Sequence, residues 1–407
     1  MLRIFRSEFF TVSLIILFNI FLRLFRLNSP PIPYLDEKSF FLPAIRQSLQ
    51  GIPDFTNEQP QLGKMIIAQS IKIFGDNPWG WRIPTAIFGT LIVLATYLLA
   101  KKVFNSKSIA TLSALLLTFE ISLFIQSRIV MMEVFYATFV LSAFIFVWSY
   151  LKNLKAQNLI MASIFFGLAA QVKWATAIPL GLAIIFIFFT QANLIKKIYL
   201  AFGVFAITIL VYILFYLPFI AANGLSKWIN LHQNVWYYHT ILLPQNFEKY
   251  APDYIPHFSE VELYTRSRIS WLTNPQAIYF EQKIPQNKIS MVLFYFNPIV
   301  FWGGLIALIA TTIKKIKDER ILFINSVFLT SYLSLFVIKG PVFPHYLLFG
   351  IPSLAIILSY FIVESLKLSK RMIFFIIVLT IIIFCLYYPL LTALPVPQWY
   401  FHLLTRY

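Results

Sequence analysis

The sequence predicts an all-α protein that crosses a membrane many times. Of its 407 residues, 59% are hydrophobic and 12% are charged, whereas soluble domains carry about 25% charged residues. Eleven apolar stretches approach the length of about 20 residues that a helix needs to cross a bilayer. Small groups of basic residues recur in every second connection between these stretches, which is typical of cytoplasmic membrane loops. We therefore expect a multi-span membrane protein.

The predicted spans differ in length and in how clearly they end. Two of them, near 157–191, are short, which leaves ten or twelve spans as alternatives to eleven. Residues 9–22 resemble a signal peptide, but Arg23 and Arg26 follow them in place of a small-residue cleavage site, so we expect an uncleaved signal anchor. The expected spans are 9–26, 83–100, 108–124, 130–150, 157–172, 175–191, 197–219, 290–312, 321–338, 344–366 and 371–390.

The net charge of +17 is compatible with nucleic-acid binding, but its distribution is not. The basic residues are spread over short connections between apolar runs, so no nucleic-acid partner is expected. The single cysteine, Cys385, lies inside an apolar run and excludes an intramolecular disulfide.

Loop charges predict the orientation of the chain. The short basic segments hold 16 of the 33 Lys and Arg residues but only four acids. An odd number of spans with a cytoplasmic N-terminus explains this alternation. The opposite side receives loops 27–82 and 220–289, the C-terminal tail, and twelve of the sixteen acids. An aromatic belt explains the tryptophans there but not the acids, so we expect the functional site on the extracytoplasmic face of the cytoplasmic membrane.

The chain is expected to form one membrane domain over 1–407. Within it we distinguish a catalytic module, 1–219, that contains the first loop, then the loop 220–289, then C-terminal helices and a tail, 290–407. In the first loop, "LGKMIIAQSIKIFG" is too short to span and suits a helix lying in the membrane interface. Its lysine stems, Lys64 and Lys72, would then extend to the headgroups, with Arg82 at the same level.

Several motifs of this loop and of the following spans occur together in a known family. They are "DE" (36–37), "NEQPQLGK", "GDNPWGWRIPTAIFGTL", "QSRIVMMEVF" and "QVKWATAIP". Their order resembles the protein O-mannosyltransferase family, which belongs to the GT-C glycosyltransferases. The resemblance is dense over residues 30–180, and "LHQNVWYYH" and "KGPVFPHYLLFGIP" also fit. It implies a GT-C fold with eleven spans and transfer of mannose, or a related hexose, from dolichyl or undecaprenyl phosphate to Ser or Thr of exported proteins, with inversion.

The resemblance implies that Asp36 is the catalytic base and that Glu37 orients Asp36 or the acceptor. A hydroxyl is a poor nucleophile and needs a carboxylate that takes its proton. The alternative is structural, because an acidic pair at the beginning of a helix often caps it and contributes about 1 kcal/mol. The departing lipid phosphate needs cations or amides that absorb its charge.

Two residues of "NEQPQLGK" are candidates near the donor. Glu58 matches an acidic position that some relatives use near the donor or a metal, but the family's "HPP" is "QPQ" here. A histidine ligand is thereby lost, so no metal site is predicted; a divalent metal stays open, with Glu58 the candidate. Lys64 either meets the donor phosphate or faces lipid headgroups. No cofactor is required, because the lipid-linked sugar is itself the activated substrate.

Charged residues near the fourth span are further candidates, because charge at membrane depth is costly and usually functional or paired. Arg128 either pairs with Glu133 or helps to hold the active loop and the donor. Glu133 and Glu120 stand where relatives usually carry aspartate, and are expected to support the site.

Two later motifs complete the predicted site. The family has arginine seven residues before the tyrosine of an "HY" pair, and Lys339 stands there, so Lys339 and His345 are expected to bind the phosphate. In the second long loop, His232, Trp236 and His239 are expected to recognise sugar or acceptor, or else to form an aromatic belt on the membrane.

Two other functions are alternatives to protein mannosylation. The same donor chemistry serves lipid or polysaccharide acceptors, as in aminoarabinose transferases, and "NEQP" fits either branch. A secondary transporter would show inverted repeats and ionisable residues at mid-membrane in both halves. We find no internal repeat, and the polar residues gather in the outer loops.

Overall fold

A computed structural model describes residues 2–50, 59–240, 270–273, 275, 277–336 and 342–405 of the chain. Numbered in chain order over these residues, the α-helices are α1 (Leu2–Leu24), α2 (Leu42–Leu49), α3 (Leu62–Phe74), α4 (Pro78–Phe104), α5 (Lys107–Thr118), α6 (Ile121–Gln126), α7 (Met132–Asn153), α8 (Ala156–Ala170), α9 (Ala177–Phe188), α10 (Leu194–Leu214), α11 (Leu217–Asn223), α12 (Leu225–Thr240), α13 (Pro298–Lys315), α14 (Glu319–Ser334), α15 (Ile351–Tyr360), α16 (Lys370–Leu391) and α17 (Gln398–Leu404).

Shorter elements complete the described fold. The strands are β1 (Ala277–Ile284), β2 (Lys288–Phe294) and β3 (Val396–Pro397), and π-helical turns lie at Glu37–Phe41 and Phe361–Ser365. The 3₁₀-helices are Trp174–Thr176, Ser270–Leu272 and Pro344–Phe349.

The described helices include several that are long and apolar enough to cross a membrane. By length and composition these are α4, α7, α10, α13 and α16. Shorter apolar helices cover 107–118, 156–170, 174–188 and 351–365. The multi-span membrane class is therefore confirmed, while the expected number of eleven spans stays a prediction.

Two of the long helices form the centre of the bundle, and two lie at its edge. In the most apolar stretch of α7, 83% of the residues are buried, and in α4 67% are. The corresponding values are 11% for α10 and 17% for α16. Because α4 and α7 begin next to the predicted site, that site is attached to the most enclosed helices of the protein.

The predicted span 108–124 is interrupted. Helix α5 ends at Thr118, and Glu120 then caps α6, because its Oε2 accepts a hydrogen bond from the Leu123 amide at 2.8 Å. The side chain of Glu120 thus takes the place of continuing helical hydrogen bonds. An apolar run does not reveal such a break.

The predicted span 290–312 is wrong at its beginning. Residues 288–294 form β2, which pairs antiparallel with β1 from Ala277 opposite Phe294 to Ile284 opposite Lys288. The helix α13 begins only after Asn297, whose Oδ1 accepts from the Ile299 amide at 3.2 Å. A short buried strand and a helical segment have the same apolar composition, so periodicity does not separate them.

The first loop contains two helices, α2 and α3, as predicted for its interfacial part. An exposed pair joins them, since Arg46 Nε donates to Asp76 Oδ2 at 2.8 Å and Arg46 Nη2 donates to Oδ1 at 3.1 Å. Hydrogen bonding to Arg46 holds the pKa of Asp76 below its usual value. The described part of the loop, 27–50 and 59–82, is therefore a folded layer on the bundle.

Candidate active site

A buried ion pair fixes the first loop to the beginning of α4. Arg82 Nη2 donates to Glu37 Oε2 at 2.7 Å, and Arg82 Nε donates to Oε1 at 2.9 Å. Both side chains are 0% exposed. Desolvating two charges is costly unless they are well paired and hydrogen-bonded, and this bidentate geometry meets that requirement.

The Arg82 guanidinium also donates hydrogen bonds to the backbone of the first loop. It donates to three backbone carbonyls of the loop, those of Leu27 (3.1 Å), Pro30 (2.7 Å) and Ile32 (3.1 Å). Glu37 Oε1 in addition accepts from the Val130 amide at 3.3 Å. Arg82 is thus buried, and its charge is matched inside the protein, where it organises residues 27–37. That it lies at headgroup level stays a prediction.

Asp36 directly precedes this ion pair and is half-buried. It stands at the beginning of the π-helical turn, yet its side chain makes no capping hydrogen bond. The interpretation of the acidic pair as a helix cap is therefore contradicted. Glu37 holds the loop, and the role of Asp36 as base stays a prediction.

Arg128 closes the other end of the same loop. Its Nη1 donates to the carbonyls of Arg23 at 2.6 Å and Phe25 at 2.7 Å, and its Nη2 donates to that of Arg26 at 2.6 Å. These are carbonyls at the C-terminal end of α1, where a helix leaves acceptors unpaired. The expected pairing with Glu133 is wrong, since Arg128 instead holds the segment that leads from α1 into the first loop. Donor binding by Arg128 stays a prediction.

Glu133 pairs instead with Lys173. Lys173 Nζ donates to Glu133 Oε1, and both residues are buried at the beginning of α7 and in the turn before α9. Lys173 Nζ also lies 4.0 Å from the centroid of the Tyr346 ring, which favours the cation further. The pair joins α7, the "QVKW" turn and the 3₁₀-helix that carries His345.

His345 is buried beside this pair. Its Nδ1 lies 2.8 Å from Tyr279 Oη, and its ring centroid lies 4.8 Å from that of Tyr346. Its Nε2 is buried with no hydrogen-bond partner among the described atoms. A buried imidazole nitrogen without a partner is rare and is a candidate contact for a ligand.

Strand β1 connects the two parts of the site. Phe280 contacts Tyr34, with ring centroids 5.7 Å apart, while its neighbour Tyr279 bonds His345. Tyr34 lies two residues before Asp36, and its ring is 5.3 Å from Arg82 Cζ. The first loop and the His345 segment thus meet at one strand.

Lys64 lies inside the protein and not at its lipid surface. It is 4% exposed, and α3 begins against the "QVKW" turn, where the Leu62 amide donates to the Gln171 carbonyl at 3.0 Å. The expectation that Lys64 faces headgroups is therefore wrong, whereas Lys72 on the same helix is exposed as expected. Binding of phosphate by Lys64 stays a prediction.

Glu120 has a supporting role through three hydrogen bonds. Its Oε2 accepts from Ser122 Oγ at 2.6 Å and from the Leu123 amide, and its Oε1 accepts from the Asn297 amide at 3.1 Å. The residue is fully buried and ties the break between α5 and α6 to α13.

The α12 candidates form an aromatic groove that contacts the "QVKW" turn through Trp174, whose ring centroid lies 5.7 Å from that of His232. His232 Nε2 lies 2.7 Å from Tyr212 Oη, which accepts from Trp174 Nε1 at 2.9 Å. Burial lowers the pKa of His232. Trp236 is 62% exposed. The groove has a volume of about 390 Å³ and is lined by Trp228, Ile229, His232, Gln233 and Trp236.

Three predicted residues are not described. Glu58 and Lys339 lie outside the described residues, as does the side chain of His239. Within the described part of the chain no group of three or more His, Cys, Asp or Glu residues forms a potential metal site.

Two residues of the site were missed as functional candidates. Arg82 and Lys173 each pair with an acid that the motifs had singled out, Glu37 and Glu133. Both stand inside quoted motifs, "GWRIP" and "QVKW". The signal was available, since a lone basic residue in an apolar motif needs a buried acid.

Comparison with known proteins identifies the central segment. Residues 58–218 match the family model described as dolichyl-phosphate-mannose-protein mannosyltransferase. The match covers the quoted motifs from "QPQLGK" to "QVKW". Residues 58–218 are thus similar to the protein O-mannosyltransferase family. The resemblance inferred from the motifs is thereby confirmed for this segment.

Named relatives are similar over part of their length. The polyprenol-phosphate-mannose–protein mannosyltransferase of Corynebacterium glutamicum is 26% identical over 142 residues, 28% of this chain and 27% of the relative. The enzyme of the same name from Mycolicibacterium smegmatis is 30% identical over 131 residues, 30% of this chain and 25% of the relative. The aligned region thus spans about a quarter of each relative.

Solved structures extend the similarity of fold to nearly the whole chain. The S. cerevisiae Pmt1-Pmt2 complex bound to the sugar donor aligns with a TM-score of 0.77 at 13% identity, over 97% of this chain and 91% of that one. ArnT from Cupriavidus metallidurans in the apo state aligns with a TM-score of 0.58 at 14% identity, over 89% and 60%. The chain has the GT-C fold.

Proposed function

We propose that this protein transfers mannose, or a related hexose, from a polyprenyl phosphate to Ser or Thr hydroxyls of exported proteins. The observation that carries the proposal is the position of Asp36. It is a half-buried carboxylate that does not cap its helix and that follows a loop fixed by Glu37–Arg82 and Arg128. The family match over 58–218 and the names of the relatives supply the donor class.

In the proposed reaction the acceptor oxygen attacks C1 of the sugar from the face opposite the phosphate. The bond between C1 and the phosphate oxygen breaks, and the phosphate leaves on its lipid with the electron pair. Asp36 takes the hydroxyl proton as the new bond forms, which is the part of the chemistry that a carboxylate accelerates. Rigid support matters because small displacements of a base reduce its efficiency strongly.

Lys64, Arg128, Lys339 and His345 are proposed to stabilise the departing phosphate, and Glu58, Glu133 and Glu120 to support the site. Lys64 and His345 are buried, so an anion there would be attracted in a medium of low dielectric. The α12 groove, with Trp236 at its surface, is proposed to contact sugar or acceptor, because aromatic faces pack on pyranose rings. No step uses a cofactor. A requirement for a divalent metal at Glu58 is tested by measuring transfer with and without a chelator.

The proposed site lies on the extracytoplasmic side of the cytoplasmic membrane, with the N-terminus in the cytoplasm. The basic short loops support this orientation. Cysteine-labelling with a membrane-impermeant reagent tests it: an introduced cysteine at exposed Lys38 should react in intact cells, and one at exposed Lys155 only after lysis.

A second acceptor class is favoured by one observation. ArnT bound to undecaprenyl phosphate shares the fold, with a TM-score of 0.57 over 88% of this chain. A lipid or polysaccharide acceptor is therefore the alternative to protein.

One experiment separates the two acceptors. Membranes that contain the protein are incubated with radiolabelled polyprenyl-phosphate mannose, and label is then sought in protein and in lipid fractions. The proposal expects label on protein that β-elimination releases, as an O-linked sugar on Ser or Thr does. Label found only in the lipid fraction would show that the acceptor is a lipid and not a protein. If neither fraction were labelled, polyprenyl-phosphate mannose would not be the donor.

A further inference from the structure

A groove opens between α1, α5 and α16, far from the site described above. Its volume is about 290 Å³. Its polar lining consists of Thr11, Lys107, Ser108 and Thr111. Its apolar lining consists of Leu112, Leu115, Ile373 and Ile377.

The groove lies at the opposite end of α4 from the predicted active site. Arg82, which binds Glu37, is in the first turns of α4, and Lys101 is in its last turn, just before α5 begins. The two residues are 19 positions apart along the helix, which corresponds to about 29 Å at 1.5 Å per residue. This is close to the hydrocarbon thickness of a bilayer, about 30 Å. The groove and the donor site therefore belong to opposite leaflets.

The lining changes from polar to apolar along α5. Lys107 and Ser108 stand in the first turn of that helix, whereas Leu112 and Leu115 stand one and two turns further along it. A phospholipid has the same order, with a charged headgroup at the surface and acyl chains below it. The polar end of the groove therefore matches a lipid headgroup, and its apolar end matches the acyl chains.

The mouth of the groove carries excess positive charge. Lys370 and Arg371 are exposed in the first turn of α16, within one turn of Ile373. The acid nearby, Glu8, accepts from Tyr97 Oη at 2.7 Å, lies 3.2 Å from Lys101 Nζ and also interacts electrostatically with Lys107. Cationic residues next to membrane helices attract anionic lipid headgroups.

The groove is also open to lipid from the side. Phe10 and Leu14 of α1 and Phe374 of α16 are 68%, 57% and 68% exposed. Large apolar side chains exposed on a membrane helix face hydrocarbon, so an acyl chain reaches the groove laterally from the bilayer without crossing the protein.

We propose that this groove binds one anionic glycerophospholipid of the leaflet opposite the active site. The phosphate lies against Lys107 and the hydroxyl of Ser108, and an acyl chain lies along Leu112, Leu115 and Ile373. Free phosphate is not the occupant, because half of the lining is apolar and gains nothing from a bare ion. The site is independent of the transfer reaction proposed above.

The test measures binding without any enzymatic readout. The protein, purified in neutral detergent, is titrated with phosphatidylglycerol, phosphatidylcholine or inorganic phosphate, and its melting temperature is followed. Binding to the folded state raises the melting temperature. Phosphatidylglycerol should do so, whereas the other two probes should not. A shift of equal size with phosphatidylcholine, or with phosphate alone, would overturn the proposal.

Variants locate the effect. Lys107→Gln should raise the lipid concentration needed for half the shift roughly fivefold, as loss of one headgroup cation predicts. Ser108→Trp, at an exposed position in the mouth, should block the shift sterically even if Lys107→Gln folds poorly. Lys155→Gln, an exposed lysine outside the groove, is the matched control. Titrations of all three variants that coincide with the unmodified protein would contradict the assignment.

Discussion

Glu37–Arg82 and Arg46–Asp76 are both bidentate acid–arginine pairs of the first loop, but their surroundings differ. The side chains of the first pair are 0% exposed, and those of the second are 42% and 44% exposed. Water screens the exposed pair, and its net contribution is small. Removing one partner of the buried pair leaves an uncompensated charge in the interior.

We therefore predict that Glu37→Gln lowers the free energy of unfolding by about 3–5 kcal/mol. The control, Asp76→Asn, should lower it by about 0–1 kcal/mol. Denaturant unfolding of both variants in the same detergent checks the difference. Equal losses would mean that Arg82 finds another counter-charge.

His232 gives a prediction at the same scale for pH dependence. Burial lowers its pKa in the folded protein below the usual value, so the unfolded chain binds more protons as the pH falls below about 6.5. Its contribution to stability is present above that pH and is lost as the pH falls towards the folded pKa.

Melting temperatures at pH 7.5 and pH 5.5 are to be compared for the unmodified protein and His232→Gln. The unmodified protein should lose more stability on acidification than the variant, since only it must protonate the partly buried imidazole of His232. A variant with the same or a larger acid sensitivity would show that other groups dominate.

Among the elements, α4 makes a close contact with the segment after α6 near the site. A Cβ added to Gly89 would lie 2.3 Å from Ser127 Cβ and 3.1 Å from Arg23 Nε. Glycine is required here because the two backbones approach closely, and Arg128, next to Ser127, holds the end of α1. A displacement of this contact would reach the loop that carries Asp36.

Gly89→Ala should therefore destabilise the protein by about 1–3 kcal/mol, as overpacking of a close contact does, and should reduce transfer. Gly203→Ala on α10 is the matched control, because nothing lies within 4 Å of its added Cβ. Its stability should be unchanged or higher, since alanine favours helix more than glycine does. Thermal melts of both variants and the unmodified protein measure the difference. A melting temperature of Gly89→Ala equal to that of the unmodified protein would contradict the close approach.

For the whole molecule, the sequence predicts the membrane class, most helix positions and the motif order, because apolar length and loop charge are local properties. It does not predict that Arg128 donates hydrogen bonds to carbonyls at the end of α1 or that Lys64 is buried. The residues that surround these two side chains lie far from them in the sequence. The sequence also does not predict the β1–β2 hairpin, because the apolar residues of β2 have the composition expected at the beginning of a span. Pairing choices among buried charges are decided by tertiary packing.

The central claim for the whole molecule is that Asp36 is the base of a lipid-linked sugar transfer. Asp36→Asn keeps the shape of the side chain and removes its ability to take a proton at neutral pH. Because Glu37–Arg82 fixes the loop independently, the variant should fold as the unmodified protein does.

The most direct measurement is single-turnover transfer from polyprenyl-phosphate mannose to a Ser/Thr peptide in proteoliposomes. It is made together with the melting temperature and the binding of polyprenyl phosphate. Asp36→Asn should keep its melting temperature and its lipid binding, while transfer should fall by about 10²–10⁴-fold, the usual contribution of a general base. Transfer within a few-fold of the unmodified protein would contradict it.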